Sequence, residues 1–209
     1  MKKIILICIA MIFFANIAGA QRKDIDRKNI VGMSFALGNG VYNAPGWVGF
    51  ADYRVENFRS IGLDYSRVLS RRWGFCSGFE FTRVNMLVTP AFMGYERSPF
   101  EAQLRLVTIP AQMKFHFARI FYVNGGLFFN VSATSHNETP NPTQSVSMLL
   151  GCSVGIGVEY ELLNTGAILS LNPFIKYNGI GGIGFVQSEQ SNPFRLWQSG
   201  VRFGVGYRF

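Results

Sequence analysis

Residues 196–209 alternate with period two. Trp197, Val201, Phe203, Val205, Tyr207 and Phe209 share one face of an extended segment, and Gln198, Gly200, Arg202, Gly204, Gly206 and Arg208 share the other. Side chains recur every second residue on one face only in a β-strand. The first face is bulky and aromatic; the second is small, polar or cationic. A soluble sheet can carry one such strand. A chain that repeats the pattern on every strand needs an apolar medium outside and a polar interior, the condition of a closed barrel in a lipid bilayer.

The pattern repeats. Eight strand-like segments run over about 29–38, 57–69, 73–86, 103–117, 120–134, 146–162, 167–178 and 196–209. In the sixth, Leu150, Cys152, Val154, Ile156 and Val158 oppose Gly151, Ser153, Gly155, Gly157 and Glu159. In the third, Trp73, Phe75, Phe79 and Phe81 oppose Gly74, Cys76, Gly78 and Glu80. Each segment approaches or exceeds the 9–11 residues or so that a tilted membrane strand requires. This phasing points Cys76 inward and Cys152 outward, so their β-carbons diverge and no disulfide is expected.

The connections alternate in length. Short ones lie at 70–72, 118–119 and 163–166; long ones span 39–56, 87–102, 135–145 and 179–195 and hold the turn formers, including Asn43-Ala44-Pro45-Gly46 and a Gly-rich run from Gly179. Short turns at one end and long loops at the other are the layout of outer-membrane barrels, with the short turns periplasmic. The glycines at 179–184 read as a flexible loop, since no Lys-Ser/Thr follows to make a phosphate-binding loop.

Residues 1–20 read as a cleaved export signal: basic Lys2-Lys3, an apolar stretch from Ile4 to Phe14, and Ala18-Gly19-Ala20 before Gln21. Residues 21–28 form a charged lead-in, and 29–209 form the barrel. The formal charge of +8 is spread along the chain. Scattered cations on an exported protein exclude nucleic acid as a partner.

The inward phase gathers charge. Asp64, Glu80, Glu159 and Glu161 fall inside with Lys114, Lys176, Arg202 and Arg208. An eight-stranded lumen is just wide enough to be filled by side chains. Charges there must pair or stay hydrated, so the expectation is a salt-bridged plug completed by Gln112, Tyr122, Asn124, Asn130 and Asn172. A lipocalin-like soluble barrel is the opposite arrangement, with apolar residues inside. Turned inside out, it would leave the aromatic face here as one large exposed patch.

Catalytic and metal chemistry is not expected. The chain has 2 histidines, His116 in the inward phase of the fourth strand and His136 in a long loop. No CxxC or HExxH spacing occurs, and no cofactor is implied. Loops on a rigid scaffold usually carry binding, which singles out Tyr42, Trp47, Phe92, Tyr95, His136 and Phe185 as contacts for an extracellular ligand.

Two resemblances sharpen this reading. Arg202, Gly204, Tyr207 and the terminal Phe209 resemble the C-terminal assembly signal of bacterial outer-membrane proteins, which implies the barrel assembly machinery and outer-membrane lipid as partners. Leu106 to Phe115, with Ile109-Pro110 and Lys114, resembles the Ile-Pro-x-x-x-Lys strand of PorT-like, OmpX-like small barrels of Bacteroidota. A proline inside a strand requires a bulge or irregular pairing. The resemblance implies an eight-stranded antiparallel up-and-down transmembrane barrel. Its named member is tied to type IX secretion, so a secretion partner stands as the alternative to a surface-interaction role. A narrow channel and a lipid-modifying enzyme rank below both.

Overall fold

The computed structural model describes residues 28–43, 52–89, 98–132, 147–162, 165–184 and 195–209. Eight antiparallel strands close into one barrel in sequence order: β1 (Asn29–Asn43), β2 (Asp52–Val68), β3 (Trp73–Thr89), β4 (Phe100–His116), β5 (Phe121–Ser132), β6 (Ser147–Leu162), β7 (Ala167–Gly184) and β8 (Arg195–Arg208). β1 pairs with β8 from Ile30↔Arg208 to Asn43↔Arg195, so the sheet has no free lateral edge along that seam. The expected signal at 1–20 and the lead-in at 21–27 lie outside the described residues.

The alternation sets inside and outside. Outward side chains form an apolar belt: Phe79 and Val205 are each 62% exposed, Leu63 58% and Tyr207 52%. Covered only by water, such a belt would be a hydrophobic patch far larger than a soluble monomer carries. Inward side chains are buried on every strand, among them Ser34, Ser60, Glu80, Gln112, Asn124, Ser153, Asn172 and Arg208. Cys76 and Cys152 are free thiols. Cys76 lies inside, accepting a hydrogen bond from Ser66 Oγ (3.1 Å).

The strands run further into the long-loop end than periodicity suggests. β1 continues to Asn43, β2 begins at Asp52, and β3 and β4 reach Thr89 and Phe100. The Gly-rich run at 179–184 is not a loop; it belongs to β7 and pairs with β6 from Leu150↔Gly181 to Ser147↔Gly184. The register shifts at Leu150/Gly151, leaving Gly179 and Ile180 as the extra residues. Gly179 has φ 129, which a residue without Cβ tolerates.

Pro110 is accommodated without a register shift. β4 keeps its pairing to β5 through Pro110↔Phe128, while pairing to β3 lapses between Ser77↔Ala111 and Glu80↔Thr108. The missing N–H would have served that ladder. Opposite the lapse, Gly78 has φ 153, and Ser77 Oγ donates to the carbonyl oxygen of Pro110 (2.9 Å). Pro173 has the same consequence between β6 and β7, where pairing lapses from Gly155↔Phe174 to Val158↔Leu171.

Candidate functional site

The lumen is stacked in layers. At the short-turn end, Glu159 on β6 gathers two cations and a histidine from other strands. Its carboxylate lies 2.8 Å from Lys114 Nζ, 3.3 Å from Arg208 Nη2 and 3.9 Å from His116 Nε2. Arg208 also binds Glu161 through Nη1 (2.7 Å). Lys114 Nζ stands 4.5 Å from the centre of the Tyr122 ring, a cation–π contact inside the wall.

The middle layer centres on Glu80. Lys176 Nζ donates to both of its oxygens (2.6 Å each), and Arg202 Nη2 donates to Oε2 (2.7 Å). Thr82 Oγ1 adds a bond to Oε1 (3.3 Å), and Ser60 Oγ is 2.8 Å from Thr82 Oγ1. A buried carboxylate with this many donors satisfies the rule that interior charge must be paired and hydrogen-bonded.

Amides form a network between the two ionic layers. Asn124 Nδ2 donates to Gln112 Oε1 (2.9 Å), Gln112 Nε2 to Ser153 Oγ (2.7 Å), and Asn172 Nδ2 to both Asn124 Oδ1 (2.7 Å) and Tyr122 OH (3.0 Å). Asp64 shares the inward phase of the other lumen charges but makes no ion pair among the described residues. It lines a cavity of about 90 Å³ between the layers, together with Cys76, Gln112, Ser170, Arg202 and Gly204. That volume holds a few water molecules, and Asp64, Gln112 and Ser170 in its lining can bind them.

Toward the long-loop end the filling changes, which the sequence reading did not anticipate. Val55, Phe58, Val84, Leu104, Leu106, Phe174 and Leu196 form one buried apolar cluster with Ala36. The salt-bridged plug therefore fills the lower part of the lumen, and an apolar cap lies above it. Phe174 sits at the boundary: its ring is 6.1 Å from that of Phe58 and about as close to the cations below, 5.3 Å from Lys176 Nζ and 5.1 Å from Arg202 Cζ. A string from Thr108 Oγ1 to Asn130 Oδ1 (2.5 Å), then Asn130 to Asn178, closes the β4–β7 side. The signal was present in the phase, since Val84, Met86 and Val88 continue the inward set of Glu80 and Thr82.

The loop candidates Trp47, Phe92, Tyr95, His136 and Phe185 lie outside the described residues; Tyr42 falls near the end of β1, paired with Leu196. At the carboxyl end Arg202 reaches Glu80, Gly204 faces the cavity, and Tyr207 and Phe209 lie on the exposed outer face. Among the described residues, no group of three or more His, Cys, Asp or Glu side chains comes together to hold a metal.

No protein-family model matches the sequence, and no curated protein matches it. Solved structures do resemble it. The outer membrane protein OprG from Pseudomonas aeruginosa aligns at 16% identity and a TM-score of 0.51, covering 88% of this chain and 96% of that one. Ail, the attachment invasion locus protein of Yersinia pestis, solved with the heparin analogue sucrose octasulfate, aligns at 14% identity and a TM-score of 0.47, covering 87% and 99%. At such identities the likeness is one of architecture. The chain has the fold of a small outer-membrane barrel: eight antiparallel strands, closed, with an apolar exterior.

Proposed function

We propose that the protein is an exported, non-enzymatic outer-membrane barrel with an occluded lumen, acting at the cell surface through its long-loop end. The carrying observation is the stacked closure: the Phe58–Phe174 cap, the Glu80–Lys176–Arg202 layer and the Glu159–Arg208 layer follow one another along the axis. A lumen filled this way supports a scaffold role over a channel role, because an eight-stranded barrel is just wide enough for its own side chains to fill. The apolar belt supports a bilayer as its surroundings, and short turns at 69–72 and 117–120 support that end as periplasmic. Binding then falls to the connections at the opposite end, which a rigid barrel presents to the outside.

Two measurements test this reading. Purified barrel in a planar bilayer should give no conductance above the lipid background; stable ion steps would refute occlusion. Replacing the segments 44–51, 90–99, 133–146 and 185–194 one at a time with short Gly-Ser linkers should leave the heat-modifiable gel band intact and remove adhesion to host matrix or neighbouring cells. Unchanged adhesion in all four variants would refute the surface role.

A second reading is an accessory role in secretion. It rests on the PorT-like strand at Ile109-Pro110, whose proline interrupts one ladder while Lys114 reaches into the lumen. It requires a null strain to retain cargo in the periplasm, and normal secretion in that strain would eliminate it.

A further inference from the structure

We propose that Arg59, Arg83 and Arg105 form a binding site for the phosphorylated headgroup of an outer-leaflet glycolipid. The three stand side by side on adjacent strands. Arg59 pairs with Arg83 across β2 and β3, and Arg83 pairs with Arg105 across β3 and β4. All three are exposed on the outer face, since the neighbouring positions Ser60, Val84 and Leu104 are buried in the lumen.

Directly opposed residues on antiparallel strands have β-carbons about 5 Å apart, and like charges there repel. None of the three makes an ion pair among the described residues. Glu56 and Glu101, the outward acids described on these strands, lie further toward the long-loop end. A row of three cations without a counter-charge is relieved by an anion from outside. Planar guanidinium forks in a row suit phosphate oxygens, which accept two parallel N–H bonds from each.

Position along the barrel selects a lipid as the source of that phosphate. Ten residues separate Trp73 from Arg83 and Phe115 from Arg105. At about 3.3 Å per residue and a tilt of about 40° the rise is roughly 25 Å, the height of the apolar band of such barrels. The arginines thus sit at its upper border. The paired row below them is Ile61, Phe81 and Val107. The paired row above is Asn57, Asn85 and Gln103, an amide ladder in which Asn85 Nδ2 donates to Asn57 Oδ1 (2.9 Å) and Gln103 Nε2 to Asn85 Oδ1 (3.2 Å). Apolar, cationic and amide rows follow in the order of acyl chain, phosphate and sugar. Across the barrel the band ends instead in the rings of Tyr177 and Trp197, 4.6 Å apart.

The proposal rests on the outer-membrane reading, and one experiment separates the two. Full-length expressed protein is recovered from fractionated envelopes and immobilised in detergent micelles. It is then offered bisphosphorylated lipid A, or the same lipid with its phosphates removed. The wild type should retain the phosphorylated form about tenfold more strongly, and Arg59→Gln/Arg83→Gln/Arg105→Gln should lose that preference. Arg54→Gln/Arg67→Gln/Arg195→Gln, which changes three exposed arginines elsewhere, should keep it. Equal retention of the two lipids, an undiminished preference in the first variant, or equal loss in the second would overturn the site. Displacement of the lipid by millimolar inorganic phosphate would assign the row to a free anion and overturn the lipid source. Absence of the wild-type protein from the outer-membrane fraction would sink the outer-membrane reading instead.

Discussion

Lys176 on β7 places its Nζ 2.6 Å from both carboxylate oxygens of Glu80 on β3, joining two strands that stand opposite each other in an eight-stranded ring. Arg202 completes the layer from β8. Glu80→Gln would leave two buried cations without their anion, and breaking a buried pair from one side costs about 3–5 kcal/mol. Replacing both partners, as in Glu80→Leu/Lys176→Leu, should cost less than the single change, because no uncompensated charge of that pair is left. Asp64→Asn should be milder than either, since Asp64 faces the hydratable cavity. Urea unfolding of the refolded barrel checks the order; a double variant weaker than Glu80→Gln would contradict it.

How much of this was legible beforehand varied with depth in the barrel. Strand number and the inward or outward phase of Cys76, Cys152, Glu80 and Trp73 follow from alternation alone, because a closed lumen and an apolar exterior oblige every strand to alternate. The partners of each charge were not legible: Glu80 and Arg202 are 122 residues apart, and only register decides which strands face each other. The upper lumen was lost for a specific reason. Above Arg59, Arg83 and Arg105 the code inverts, with polar Asn57, Asn85 and Gln103 outside and apolar Phe58, Val84 and Leu104 inside. The segments 57–69, 73–86 and 103–117 reach these rows and stop, so the strand residues beyond them, 52–56, 87–89 and 100–102, read as loop. The run after Gly179 misled in the same way, since glycine favours loops in general but here serves a bulge.

The apolar cap makes a prediction about closure. Phe58 and Phe174 are buried against each other, and removing a buried phenyl ring costs about 3–5 kcal/mol. Phe174→Ala should therefore lower the unfolding free energy by that order while conductance stays at background, because the Glu80 layer beneath is intact. Single-channel currents in Phe174→Ala alone would show that the phenyl rings were the sole barrier.

The barrel seam ends in a reciprocal pair. Phe209 N donates to Asn29 O (2.9 Å), and Asn29 N donates to Phe209 O (3.1 Å). Deleting Phe209 removes both bonds, each worth about 0.5–1.5 kcal/mol net, together with an outward aromatic. If the terminal residue also serves recognition during assembly, the amount of heat-modifiable barrel in cells should fall severalfold. Barrels refolded in detergent should meanwhile lose only about 1–3 kcal/mol. Equal, small effects in both settings would restrict Phe209 to closing the seam.

Inward glycines are the counterpart of the large lumen side chains, and Gly157 on β6 offers the sharpest test. A β-carbon there would lie 2.7 Å from Cζ and OH of Tyr122 and 2.7 Å from the carbonyl oxygen of Leu171. The ring is buried and its hydroxyl accepts from Asn172, so it has little freedom to retreat. Gly157→Ala should destabilise by about 1–3 kcal/mol, the range for overpacking. On the outer face, a β-carbon at Gly125 would meet nothing nearer than 3.4 Å, so Gly125→Ala should be tolerated. Adding Tyr122→Leu to Gly157→Ala should recover part of the loss if the ring is the obstacle. No recovery in the double variant would place the clash on the Leu171 backbone, and β6 would then have to move away from β7 to accept any side chain.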